Sequence, residues 1–122
     1  MIKKLADTEL EVMQALWACQ SPATRMDVEA RLTATHPMAP TTLLTLLSRL
    51  ADKDFIEIQK EGRITHYIPR ITQEDYLATQ SRRFLDILCG GNISTFASAL
   101  CNSGISKEDL EELRRILERD AT

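Results

Sequence analysis

Thr41, Thr42, Thr45, Ser48 and Arg49 fall within nine consecutive residues, at spacings that place them on one side of an α-helix. Short hydroxyls donate and accept hydrogen bonds, and a guanidinium donates only. Such a face makes no covalent chemistry, but it suits phosphate oxygens and the polar edges of bases. Between these residues stand Leu43, Leu46, Leu47 and Leu50, at i, i+3, i+4 and i+7, a stripe that must face a core. On this stretch alone, an ordinary amphipathic helix with a threonine-rich solvent side is an equal reading. Its surroundings decide between the two.

Two further cations, Lys60 and Arg63, flank Glu61-Gly62 at a chain reversal, where they can reach a phosphate backbone, although Glu61 opposes that role. Arg25 stands at the start of a helix, where its charge and the free N–H groups can meet a phosphate together. Other chemistries are not written in the chain. Cys19, Cys89 and Cys101 form no Cys-x-x-Cys and have no close histidine, so neither a disulfide framework nor a zinc site is expected. With only His36 and His66, no nucleophile paired with a base and no glycine-rich phosphate loop, we expect neither an enzyme nor a bound cofactor or metal. The exposed polar face therefore points to binding.

The elements that position these residues can be read in order. Thr8-Glu-Leu-Glu11 has the pattern of a capping box opening a first helix, with Leu10, Val12, Met13, Leu16 and Trp17 inward, and Ser21-Pro22 closes it. Thr24-Arg-Met-Asp27 caps a second helix over about residues 25–35, with Val28, Leu32 and Met26 inward and His36-Pro37 at its end. Pro40 suits the first position of the third helix, which carries the hydroxyl face. The period then shortens to two: Ile56 and Ile58 alternate with Glu57, Gln59 and Lys60, Glu61-Gly62 turns, and residues 63–68 run extended to Pro69. Three helices followed by a hairpin is the order of a winged helix-turn-helix domain, with the hairpin tip beside the third helix.

The fold class expected is thus mainly α with a small β-hairpin wing, a winged helix-turn-helix domain over residues 1–70 and a three-helix dimerisation domain over 71–122. Thr72-Gln-Glu-Asp75 caps the fourth helix, Gly90-Gly91 stops it, a fifth follows over about 93–102, and Ser106-Lys-Glu-Asp109 caps the sixth. Their apolar stripes run through Leu77, Phe84 and Leu88, then Phe96 and Leu100, then Leu110, Leu113, Ile116 and Leu117. Three helices of this size bury little alone, and a second copy of the chain is the economical partner for those stripes.

Charge limits the binding mode. The 122 residues carry net charge −3, and the imbalance lies in the second part: residues 1–70 hold nine basic and nine acidic groups, residues 71–122 six and nine. Any DNA contact must come from local placement, with weak non-specific affinity. A winged helix that docks a protein instead of DNA is the alternative consistent with this neutrality. No signal-peptide core follows the basic start and no run reaches membrane-spanning length, so a cytoplasmic protein with no membrane partner is expected.

Three stretches resemble one family. They are Leu5-Ala-Asp-Thr-Glu-Leu-Glu-Val-Met-Gln-Ala-Leu-Trp17, the run from Thr41 to Ile56, and Glu61-Gly-Arg with Tyr67 and Pro69. Together with the last helix from Ser106 to Leu117, they are similar to the penicillinase-repressor (BlaI/MecI/CopY) family, over nearly the whole chain. The resemblance implies a homodimeric transcriptional repressor on a two-fold symmetric DNA operator. It places Thr41, Thr42, Thr45 and Arg49 on the groove-facing helix, with Lys60 and Arg63 on the wing. In the BlaI and MecI branch an upstream sensor protease leads to cleavage at an Asn-Phe bond, but here the corresponding pair is Ser98-Ala99. The paired Cys-x-Cys motifs of the copper-responsive branch are also missing. After the third helix, Asp54 stands where the family usually has glycine, so an aspartate must meet any demand for positive φ.

Overall fold

In the computed structural model, residues 2–120 are described. Six helices and one hairpin follow in the order α1 (Asp7–Ala18), α2 (Arg25–Thr33), α3 (Pro40–Asp52), β1 (Ile56–Glu61), β2 (Ile64–Pro69), α4 (Gln73–Leu88), α5 (Ile93–Asn102) and α6 (Lys107–Asp120). Two compact units divide the chain, Met1–Gln80 and Ser81–Thr122. Among the described residues no single helix is long and apolar enough to cross a membrane.

The first unit closes around the stripes that helical periodicity demands. Val12, Met13 and Leu16 of α1, Val28 and Leu32 of α2, and Leu43, Leu46, Leu47 and Leu50 of α3 are buried together with Phe55, Ile56 and Tyr67. Tyr76, in the second turn of α4, joins this core: its hydroxyl accepts from the Leu5 N–H at 3.0 Å, and its ring lies 5.8 Å from Phe55 and 5.9 Å from Trp17. The Trp17 indole donates to the Ile71 carbonyl at 2.9 Å. These bonds hold the residues after β2 to the winged body, which is why the first unit runs to Gln80.

Two local expectations fail. Helix α1 starts before Thr8: Ala6 is the N-cap, and Glu9 rather than Glu11 reaches back to the cap N–H, at 3.0 Å. Alanine has no hydroxyl, so only half of a capping box forms. Met26 is not inward but 71% exposed. With Thr24 as N-cap, Met26 sits two positions before Val28, about 200° around the helix from the Val28 and Leu32 stripe. The cap itself is as read, Thr24 Oγ1 accepting from the Asp27 N–H at 3.3 Å and Asp27 Oδ2 from the Thr24 N–H at 3.0 Å. Helix α2 ends at Thr33, and the Thr35 and His36 N–H groups share the Leu32 carbonyl in a tightened last turn before Pro37.

The wing is a two-stranded antiparallel hairpin in register Ile56↔Pro69 through Glu61↔Ile64, leaving Gly62 and Arg63 as the two loop residues. Gly62 has φ +65°, the left-handed geometry that the first loop position of a type II′ hairpin requires. Ala23 makes an isolated antiparallel bridge to the hairpin, its N–H and carbonyl both bonding to Tyr67, at 3.3 and 2.7 Å. One residue pair gives no periodicity to read, so this bridge had no sequence signal.

In the second unit Asn92 caps α5, its Oδ1 accepting from the Ser94 and Thr95 N–H groups, and Ser106 Oγ caps α6 by accepting from Asp109 N–H. Phe84 and Phe96 pack edge to face at 5.6 Å between ring centres.

Candidate nucleic-acid interface

Helix α3 presents the predicted division of faces. The four leucines are buried, while Thr41, Thr42, Thr45, Ser48 and Arg49 are all exposed. At about 100° per residue the exposed set spans an arc from Leu44 through Ser48, Thr41 and Thr45 to Arg49 and Thr42. Leu44 belongs to that arc, 42% exposed, and was missed because leucine counts toward a core in any apolar pattern. Its signal lay in position: one residue after Leu43, it falls outside the buried quarter-turn. Thr45 Oγ1 donates to the Thr41 carbonyl at 3.0 Å, which leaves Thr45 only acceptor capacity toward a ligand.

Both ends of this helix are fixed. Pro40 occupies its first turn, where the missing N–H is no loss. At the far end the Phe55 N–H bonds to Leu50 O at 2.9 Å and the Asp54 N–H to Ala51 O at 3.0 Å, a Schellman closure with Asp54 at φ 64°. Lys53 Nζ donates to both carboxylate oxygens of Glu9 at 2.8 Å, tying the end of α3 to the start of α1. Glu9 is 3% exposed. Burial pushes its pKa up, but the Lys53 and Ala6 hydrogen bonds and the charges of Lys53 and Arg49 outweigh that, holding it below the usual carboxylate value.

The cations differ in availability. Lys60 and Arg63 are exposed at the wing tip, and among the described residues neither has an ion-pair partner, nor has Arg49. Arg25 is half-buried and its guanidinium is ion-paired with Glu29 one turn on, so a phosphate there competes with a carboxylate. Burial raises the Tyr67 phenol and the Cys19 thiol, so both stay neutral near pH 7. Among the described residues no group of three or more His, Cys, Asp or Glu side chains is placed to hold a metal ion.

The residues read as dimer contacts are left open to different degrees. Leu77, in the first unit, is exposed; in the second, Phe84, Leu88, Ile116 and Leu117 are exposed, while Phe96, Leu100, Leu110 and Leu113 are half-buried. Ile87 and Ile93 on the same helices are 62% and 64% exposed, and of the residues above only Leu88, at 69%, is more open.

Comparison with known proteins adds to this geometry. The family profile described as Penicillinase repressor matches residues 5–119. A penicillinase repressor of Bacillus licheniformis is 36% identical over 118 residues, covering 96% of this chain and 91% of the relative. The methicillin resistance regulatory protein MecI of Staphylococcus aureus (strain N315) is 26% identical over 117 residues, covering 95% and 94%. Among solved structures, the DNA binding domain of the repressor BlaI superposes with TM-score 0.53 at 37% identity, over 62% of this chain and 92% of that one. The Bacillus licheniformis BlaI monomeric form in complex with the blaP half-operator gives TM-score 0.52, with the same identity and coverage.

Proposed function

The chain belongs to the penicillinase-repressor family, and on that footing we propose that it is a DNA-binding transcriptional repressor acting as a homodimer on a two-fold symmetric operator. The observation that carries this reading is the face of α3: three threonines, a serine and an unpaired arginine held outward by four buried leucines. That face enters a major groove and its hydroxyls and guanidinium reach base edges and phosphates. Lys60 and Arg63, beside it on the wing, neutralise backbone phosphates. In the dimer the two α3 helices address half-sites about 34–36 Å apart, or a multiple of that. The open apolar stripes of α4, α5 and α6 supply the dimer contact. Repression follows from occupancy of the operator, with no covalent step, in the cytoplasm where the chromosome is.

The test is binding of the purified protein to labelled DNA from upstream of its own gene, titrated against salt with random-sequence competitor. A competitor-resistant complex that weakens steeply with salt is expected, because bound cations release condensed counterions. Arg49→Ala should lower operator affinity by about 10- to 100-fold with unchanged helicity. Lys60→Ala and Arg63→Ala should each flatten the log–log salt slope by about one unit for every sequence alike. A folded protein that binds no DNA, but docks another protein with little salt dependence, would replace this reading with the protein-interaction module that the neutral first 70 residues allow.

A further inference from the structure

Leu44 is a large apolar side chain, 42% exposed, in the arc of α3 otherwise made of hydroxyls and a guanidinium. Its helical neighbours on that face are Thr41, three residues before it, and Ser48, four after. Thr45, next to it, has its hydroxyl hydrogen committed to the Thr41 carbonyl. Leu44 ends the face on one side, beside the hydroxyls of Thr41 and Ser48, while Thr42 and Arg49 form its other edge. A leucine there adds nothing to the core that buries Leu43, Leu46, Leu47 and Leu50, from which it is turned away.

From this arrangement we infer that Leu44 is a specificity-determining residue that selects thymine at the base pair it faces; the inference rests on α3 being the DNA-reading helix. The chemistry admits few alternatives. Each major-groove base edge offers donors and acceptors, and thymine alone adds an apolar group, its C5-methyl. Leucine cannot bond to N7, O6, N4 or N6. Against those atoms it would strip water and return no partner, a penalty that disfavours the other bases. Against the methyl it buries apolar surface on both sides. Selectivity comes from one attraction and several rejections.

The experiment uses the full chain and a random-sequence duplex library. Retained duplexes are sequenced, and in one of them each thymidine is replaced singly by 2′-deoxyuridine, which removes the C5-methyl and leaves every hydrogen-bonding group in place. The wild-type protein should lose about three- to tenfold in affinity at one position per half-site. Leu44→Ala, at an exposed site where alanine favours the helix, should bind the thymine and uracil duplexes equally. Leu44→Gln should shift the selected base at that position toward adenine. Equal wild-type affinity for every uracil duplex overturns the inference while leaving the repressor reading intact. So does discrimination that survives in Leu44→Ala. A protein that retains no duplex from the library overturns both.

Discussion

The two units use similar amphipathic helices to opposite ends. In Met1–Gln80, sixteen apolar side chains are buried in one cluster to which α1, α2, α3, the hairpin and Tyr76 all contribute. In Ser81–Thr122, Cys89 is the one buried apolar side chain among the described residues, although Phe84, Ile87, Leu88, Ile93 and Leu117 are all large and all exposed. The difference is not one of composition. Helix α6 has its leucines along one side and, on the other, Arg114 paired with Glu111 at 3.0 Å and Glu118 at 3.4 Å, a division as strict as that of α3. What α3 has and α6 lacks is a surface to pack against within its own unit. Apolar stripes left open in this way are the kind of surface that association covers. On the proposed reading, recognition and pairing are separable tasks: one unit buries its own core with its polar face free, and a second copy of the chain would cover the open stripes of the other.

The strongest way to break that contrast is a charge in the open stripe. Leu88 is 69% exposed, so Leu88→Glu should leave the fold of a single chain unchanged. In a dimer it would bury an unpaired carboxylate, which costs about 3–5 kcal/mol. We expect the dimer dissociation constant to rise by at least about 100-fold in sedimentation equilibrium, with tight operator binding lost alongside it. A variant that stays dimeric would place the contact elsewhere.

The next test concerns what keeps the first unit whole in acid. Glu9 is ionised more readily in the folded chain than in the unfolded one, because Lys53 and the Ala6 N–H hold its carboxylate. Its contribution is therefore full above about pH 4.5, the ordinary glutamate value, and is lost as pH falls through the lower native value. Glu9→Gln should cost about 1.5–3 kcal/mol near pH 7, the range for charged hydrogen bonds. It should also flatten the acid side of the stability profile followed by urea melts. Asp27, likewise held low by its bonds to Thr24, contributes to the same limb, so Asp27→Asn is the control that separates the two. If Glu9→Gln leaves the acid limb unchanged, the α1 to α3 tie is not the acid-sensitive element.

Elements with a clear period were legible in the sequence, and isolated features were not. The α3 stripe, the wing and the caps at Thr24, Thr72 and Ser106 stand where periodicity and capping chemistry put them. Helix α1 was misplaced because Ala6/Glu9 and Thr8/Glu11 overlap, and a threonine outranks an alanine in any local reading. What decided for Glu9 was Lys53, forty-four residues away. The Ala23 bridge and the docking of Tyr76 depend on equally distant partners. At the candidate site the hydroxyls, Arg49, Lys60 and Arg63 were picked out by residue type, whereas Leu44 was hidden by its type and found only by its position around the helix.

The smallest effect expected is at Asp54, and it isolates the backbone term in the closure of α3. The Schellman turn needs one residue in the left-handed region, and Asp54 supplies it at φ 64°. A side chain with a Cβ is strained there by about 1–2 kcal/mol, less for aspartate than for most residues. Glycine removes that strain but widens the unfolded ensemble, so the two terms partly cancel. Asp54→Gly should therefore stabilise the first unit by only about 0.5–1 kcal/mol and leave the association of the second unit as it was. Asp54→Val reverses the sign, since a β-branched side chain is a genuine outlier at positive φ. Were the glycine variant instead to weaken DNA binding at unchanged stability, Asp54 would be acting through its carboxylate rather than through its backbone.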